Sequence, residues 1–538
     1  MKTLSAQLLV LVASLAIAAH AMAAAKLGAV TRQLSAPGCC PMGLTFDGTA
    51  LWVVDRKLNQ VFRVDPKSGE VLRALPTPGF RPTGLSWDGK HLWIADRDRD
   101  ELARLDPATG VVDRVLKVPF KSPRGVASDG VGLYVADAKT DHIYYLDAQD
   151  GTVFKKFLAP YRAPTGLVYD GRYLWSADRS TDEIYRIDPQ RGKVIGIFKS
   201  PGPHPYGLAW DGRHLWNVDY QTRKLYRLRP RADERYQRWD KKQLRVEYTL
   251  HLYSHGPDPV TAADIFLAVP RSRYNQRLIT PPTFAPEPDE LLKDRWGQEV
   301  AHFRRPEIAS GQTFEPRMIA EVELYRTRFW ITPEKVGSLQ LVPEEIKQQY
   351  LSNGRKYRLH DPAIRAAARA AIKNERNPYW MARGIYEHVR GTLEYKRTGG
   401  WDSAPLLLER GSGSCSEYAF VFIALCRAVG IPARYVGGIV TRGDDAFVDN
   451  VFHRWAEIYL PNVGWLPVDP DRGDKLTPRG QALGFGYVSN TLFVTTVNGG
   501  ESEHLDWKYN GNARWTFVGR SAVDIEQTGE LSPLEGGE

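Results

Sequence analysis

The chain has 538 residues, 25% of them charged, and a formal net charge of +9. That length exceeds what one hydrophobic core can organise and calls for roughly three or four domains. Its ordinary composition fits a soluble globular protein, and the dispersed Lys and Arg leave no dense basic run of the kind that marks a nucleic-acid arm, so no nucleic-acid partner is expected.

The first residues read as an export signal. Lys2 supplies the positive end, Leu8 to Ala19 the apolar core, and Ala21-Met22-Ala23 a small-residue cleavage site. The apolar core is shorter than the roughly 20 residues a membrane span needs. Residues 1–23 are therefore expected to be removed, which lowers the net charge to +8. No other stretch reads as a transmembrane segment, and the mature protein is expected in a periplasm or outside the cell. A basic exported protein can favour acidic polymers such as cell wall or envelope lipid, although charge spread over solvated faces is the simpler reading.

Residues 26–240 repeat. "PMGLTFDGTALWVVD" starts at Pro41, and related segments start at Pro82, Pro123, Pro164 and Pro205, each 41 residues after the last. A fixed period of that size, filled with short alternating strands, specifies a β-propeller. Asp-Gly pairs such as Asp88-Gly89 make the hairpin turns, because Gly accepts the positive φ needed there. The opening segment "GAVTRQLSAPG" matches "GKVIGIFKSPG", the last strand of the fourth unit, so the chain start is expected to complete the fifth blade and remove two free edges. Five blades is the expectation, with six as the alternative. Asp55, Asp96, Asp137, Asp178 and Asp219 recur with the same period, and turn stabilisation is a better reading than a channel lining. The repeats resemble NHL-type units in their Pro-x-Gly-Leu…Asp-Gly…Leu-Trp-x-x-Asp pattern. That resemblance implies architecture and a docking platform for a protein or cell-envelope ligand, but no chemistry.

From Lys241 the period stops. "QLRVEYTLHLY" alternates with Leu244, Val246, Tyr248, Leu250 and Leu252 on one face, and further strands follow, so residues 241–335 are expected to form a β-sandwich that positions its neighbours. Helices then return, capped by Asp361 with Pro362 and by Asn377 with Pro378. A third fold unit is expected over 336–520, with 521–538 as a tail.

In "GSGSCSEYAF", Ser414 and Glu417 stand in the spacing of a capping box, which places Cys415 in the first turn of a helix. Backbone N–H groups and the helix dipole there favour the thiolate. His453 follows 38 residues later on the strand-like "NVFHRWAEIYLP", beside Trp455 and Glu457 on one face. Asp469 follows after another 16, past a short turn. A thiol, an imidazole and a carboxylate in this order form a nucleophilic triad if the helix packs on the hairpin. Cys426 lies about 16 Å further along the same helix, too far to bridge, and reads as core. For the adjacent Cys39 and Cys40, a vicinal disulfide, two free thiols and a metal site are all compatible with the sequence, with structural residues the expectation.

At "GSCSEYAFVFIALCRAVGIPARYVGG" and "HRWAEIYLPNVGWLPVDP" the chain resembles the transglutaminase-like superfamily over roughly 340–500. The resemblance implies a papain-like α+β fold and carries the catalytic triad onto Cys415, His453 and Asp469. Relatives often have Ala where Arg454 stands, which implies an altered adjoining subsite with the triad left alone. The family includes cross-linkers, peptidases, deglycosylating amidases and inactive scaffolds. The expected function is thus an exported thiol enzyme acting on amide bonds of a peptide or protein substrate, with peptidase or amidase action ahead of protein-glutamine acyl transfer. A propeller-based binding or assembly protein is the non-enzymatic alternative. "RGDDAFVDN", beside His453, looks like a calcium loop, but solvated carboxylates are the commoner case. Neither a metal nor a cofactor is expected.

Overall fold

The structure, a computed structural model, describes residues 27–230, 234–397, 401–441, 447–450, 452–473 and 476–534. The signal-like segment and most of the acidic loop (442–446) lie outside them. The described chain divides into two compact units, Met1–Arg235 and Tyr236–Glu538.

The first unit is a propeller of five four-stranded antiparallel blades. Blade two, for example, runs Pro82–Trp87, Leu92–Asp96, Glu101–Leu105 and Val112–Lys117. In the fifth, the outermost strand is Val30–Ser35 from the chain start, paired antiparallel with Lys224–Leu228 so that Leu34 faces Leu225. The inner strands approach closely enough to require glycine. A Cβ on Gly84 would lie 2.1 Å from the Arg124 carbonyl oxygen, and one on Gly207 would lie 2.3 Å from Leu44 N, which brings blade five against blade one. Five blades therefore close the ring, and a sixth has no place in it.

The two periodic Asp sets both hold turns. Asp47 Oδ1 accepts the N–H groups of Thr49 and Ala50 while its Oδ2 accepts Trp52 Nε1 at 2.9 Å, and Asp88, Asp170 and Asp211 repeat the bond to Trp93, Trp175 and Trp216. An ionised carboxylate is an acceptor only, so one Asp can gather several donors from turn and strand. Asp55 Oδ1 likewise accepts from Lys57 and Leu58, both at 2.8 Å.

In the second unit, the long strand Tyr236–Pro257 lies between Arg317–Phe329 and Ser521–Pro533. Leu244, Val246, Tyr248, Leu250 and Leu252 are buried, as their alternation requires. Val260–Ala268, Glu299–Arg305, Glu290–Lys293 and Gly511–Phe517 form the facing sheet. The sandwich is thus completed by the end of the chain. Residues 521–533 are a strand in register with 244–257, not a tail, and 511–517 belong to the sandwich rather than to the unit expected over 336–520. Main-chain pairing along one long partner, Tyr236–Pro257, outweighs the weak local signal of this polar, one-face-exposed segment.

The helices Pro362–Ile372 and Pro378–Thr392 start where expected, with Asp361 accepting the Ala363 N–H and Asn377 accepting those of Tyr379 and Trp380. They pack with the helix Cys415–Ala428, which lies on an antiparallel sheet ordered Gly464–Val468, Phe452–Leu460, Ala433–Val440, Leu492–Asn498. Ile439 and Phe493 of that sheet enter the sandwich core, so the two layers share apolar contacts.

Candidate active site

Cys415 is the first residue of its helix, and Ser414 is the N-cap. Glu417 Oε2 accepts the Ser414 N–H at 2.7 Å, and its Oε1 accepts Arg410 Nη2 at 2.8 Å. This fully buried carboxylate fastens the loop to the helix start. Twelve consecutive residues from Ser416 to Arg427 are buried, so the helix has no freedom to roll and the thiol is held in place.

The strands bring the other two groups to it. Phe452–Leu460 and Gly464–Val468 form a tight hairpin with Ile458 opposite Leu466. Asp469 follows the second strand, where its N–H bonds Gly484 O at 2.7 Å and its Oδ1 accepts the Arg472 N–H at 3.2 Å. Its Oδ2 lies 2.8 Å from His453 Nε2. Cys415 hydrogen-bonds His453 in turn, and with Nε2 committed to Asp469, Nδ1 is the ring nitrogen left for the thiol. All three residues named from the sequence are therefore brought into one hydrogen-bonded chain. Cys426 is buried in the core of the same helix, and the sulfurs of Cys39 and Cys40 lie 3.3 Å apart as free thiols in the first unit.

Electrostatics favours the charged forms along this chain. Burial opposes charge at each member. At Cys415 it is outweighed by the hydrogen bond and charge of His453 and by the Arg454 backbone N–H, so the thiol ionises below its ordinary range, with Asp471 pulling the other way. At His453, burial is overcome by Asp469 and Cys415, which hold the imidazole protonated well above its usual range. At Asp469, burial is overcome by His453 and Arg472, and the carboxyl is held low. A thiolate beside an imidazolium is the reactive form for attack on a carbonyl.

Arg454, where relatives often have Ala, points away from the triad into the protein. It is fully buried, with its guanidinium 4.4–4.9 Å from the rings of Tyr509, Trp401, Tyr435 and Phe420. Nη2 donates to the Trp507 carbonyl, while Nε and Nη1 are buried without a partner. Aromatic faces offset part of that desolvation cost. Tyr509 bonds Ser416, the residue after Cys415, its hydroxyl pushed up by burial and then by the nearby sulfur. Gly437 stands opposite Arg454 in register, and a Cβ there would come within 2.5 Å of Tyr509 Cβ. Sequence reasoning missed Tyr509 as part of the site. The signal was the Gly-Gly pair inside the strand "ARYVGGIV", since glycine in a strand marks close approach of another group.

On the same strand, Glu457 is fully buried and accepts from Tyr274 Oη at 2.6 Å, from Arg434 Nε at 3.0 Å and Nη2 at 2.8 Å, and from Arg273. Arg273 and Tyr274 come from the sandwich segment, which thereby fixes the histidine strand. His453, Asp469 and Asp471 also lie within 4.8 Å of one another as a potential ligand trio. The imidazole nitrogen a metal would need is already spent on Asp469.

The comparisons with known proteins fall on this region. A family model described as the Transglutaminase-like superfamily matches residues 365–470. The chain is 28% identical over 163 residues to the peptide-N(4)-(N-acetyl-beta-glucosaminyl)asparagine amidase of Homo sapiens, covering 30% of this chain and 23% of that protein. It is 36% identical over 96 residues to the protein-glutamine gamma-glutamyltransferase of Pseudomonas aeruginosa, covering 17% of this chain and 14% of that protein. The chain thus spans less than a quarter of the length of either relative. Among solved structures, virginiamycin B lyase from Staphylococcus aureus aligns with a TM-score of 0.26 and 19% identity, over 36% of this chain and 67% of that one. The stretch that matches the transglutaminase-like family model, residues 365–470, contains Cys415, His453 and Asp469.

Proposed function

We propose that this domain is a thiol enzyme acting on amide bonds of peptides or proteins, exported by the signal-like start of the chain. The observation that carries the reading is the hydrogen-bonded chain Cys415–His453–Asp469 with its thiolate–imidazolium balance. The Cys415 sulfur attacks the amide carbonyl carbon, and the Cys415 N–H at the helix start stabilises the oxyanion. The C–N bond then breaks as His453 gives its proton to the leaving nitrogen, which leaves a thioester on Cys415. Neutral His453 next takes a proton from water, water oxygen bonds the acyl carbon, and the sulfur leaves as thiolate. Asp469 holds the ring and stabilises its charged form throughout.

Hydrolysis is the reading we favour, in keeping with the similarity to an amidase. Transfer of the acyl group to a primary amine is the second, supported by the similarity to a protein-glutamine gamma-glutamyltransferase. The two share every step until the thioester is resolved. A peptide library incubated with the protein, then analysed by mass with and without a primary amine, separates them. Acid products alone support hydrolysis, and amine adducts support transfer. Absence of any acyl adduct on Cys415 with reactive amide and ester probes favours a binding or assembly role instead.

A further inference from the structure

The inner strands of the propeller all begin at the same end of the ring, and their second residues are Met42, Thr83, Arg124, Thr165 and Tyr206, all buried. Thr83 and Thr165 donate to the Pro123 and Pro205 carbonyls of the next blade and so close the ring. Arg124 has no such structural use. It is 6% exposed, its Nε has no partner, and its hydrogen bond goes to Tyr206. Tyr206 belongs to blade five and Arg124 to blade three, which are not neighbours in a ring of five, so this contact reaches across the axis.

Two more guanidinium groups arrive at the same place. Arg179, from blade four, donates Nη1 to Tyr206 Oη at 3.3 Å. After burial and the supporting interaction with Tyr206, the charges that bear on Arg124 are those of Arg179 and then of Arg97, from blade two, and both repel it. Two of these cations, Arg124 and Arg179, thus share the Tyr206 phenol as an acceptor, and the third, Arg97, lies near enough to repel Arg124. His204 Nδ1, in the loop before Pro205, is buried without a partner as well.

The same end carries five carboxylates, and their bonds account for them differently. Oδ1 of Asp55, Asp96, Asp137, Asp178 and Asp219 accepts N–H groups of its own turn. Oδ2 of Asp55, Asp178 and Asp219 accepts the N–H of Cys40, Ala163 and His204, while Oδ2 of Asp96 and Asp137 is buried without a partner. Among the described residues, none of the five pairs with Arg97, Arg124 or Arg179. Burying a cation beside two others without an anion is costly, and an anion bound between them would offset that cost.

We propose that this axial end of the propeller binds an oxyanion, a carboxylate or phosphate group, held by Arg124 at the base and by Arg97 and Arg179 at the mouth. Guanidinium groups match both anions with paired N–H donors, and burial strengthens such charge-assisted bonds. Arg97 is half-buried and Arg179 exposed, so the mouth admits a group carried on a larger molecule.

The test is titration calorimetry of the full chain with inorganic phosphate and, separately, with N-acetylglutamate. Saturable binding of at least one probe is expected, weakened by added salt. R124Q and R179Q should each reduce affinity by about tenfold or more. R227Q, whose guanidinium lies over Trp216 and bonds Thr31, should leave it unchanged. Binding of phosphate alone assigns a phosphorylated ligand, and binding of N-acetylglutamate alone assigns a carboxylate. Arg179 is exposed, so R179Q keeps the test valid even where R124Q impairs folding. No saturable binding of either probe, or affinity in R179Q equal to that of the unaltered protein, would overturn the proposal. So would an equal loss in R227Q.

Discussion

His453 Nε2 sits 2.8 Å from Asp469 Oδ2, and this contact decides which face of the imidazole meets the Cys415 sulfur. The carboxylate reaches that position from a loop, not from the strand, because Asp469 is tied through its own N–H to Gly484 O and through Oδ1 to Arg472. Its role is to orient and to hold a charge on the ring. A neutral amide of the same shape can do the first but not the second.

Asp469→Asn should therefore leave the fold intact and raise the pH at which the thiol ionises. In the unaltered protein, Cys415 ionises below and His453 above their ordinary ranges, so the alkylation rate of the thiol should stay level through neutral pH and fall only in acid. In the variant that fall should move to higher pH, and amide turnover should drop roughly 10²- to 10⁴-fold. Rate against pH, read by mass spectrometry, checks both. An unchanged profile would mean that Asp469 does not act through His453.

Glu457→Gln should destabilise the second unit by about 3–5 kcal/mol, because Arg273 and Arg434 then lose their counter-charge inside the protein. The sign of the pH effect follows from the shift. Burial alone would raise the Glu457 carboxyl, yet the two arginines bring it down to about 2 from an ordinary 4.5. Its contribution is complete above the ordinary value and is lost as pH falls toward about 2. Denaturant melts across that window should show the unaltered protein losing stability faster than E457Q. Parallel curves would contradict this.

Gly437→Ala should act on the site without touching the triad. The added carbon would come within 2.5 Å of Tyr509 Cβ, so Tyr509 must shift and its bond to Ser416 is disturbed. The expected outcome is a changed Tyr near-UV signal and a loss of turnover of about tenfold or more, with His453 still bonded to Asp469. Full activity would show that the position of Tyr509 is immaterial.

Gly207→Ala separates ring closure from chemistry. It places a carbon 2.3 Å from Leu44 N where blade five meets blade one. A cost of about 1–3 kcal/mol to the propeller is expected, visible as a lower melting transition for the first unit, with Cys415 alkylation unaltered. A melting curve identical to that of the unaltered protein would count against the closed five-blade ring.

What the sequence disclosed, and what it hid, follows from the range of the interactions. The blades were legible because each is a local hairpin series repeated every 41 residues. The closing strand was legible because Gly28–Gly38 copies Gly192–Gly202. Cys415, His453 and Asp469 were legible because a cap, an alternating strand and a short turn fix them locally. The pairing of Ser521–Pro533 with residues far earlier in the chain was not, since that strand is polar on one face and its partner is remote. The Arg454 cage was hidden for the same reason. Alternation places it off the histidine face, but Trp401, Phe420, Tyr435 and Tyr509 come from four separate segments that only the fold assembles.

The most direct measurement is the rate of iodoacetamide modification of Cys415 at neutral pH, compared between the unaltered protein and His453→Ala, with Cys426 as the internal buried reference. The account predicts fast, selective labelling of Cys415 that slows by about tenfold or more when the imidazole is removed. Equal, slow labelling of Cys415 in both proteins would contradict it and leave the domain a scaffold.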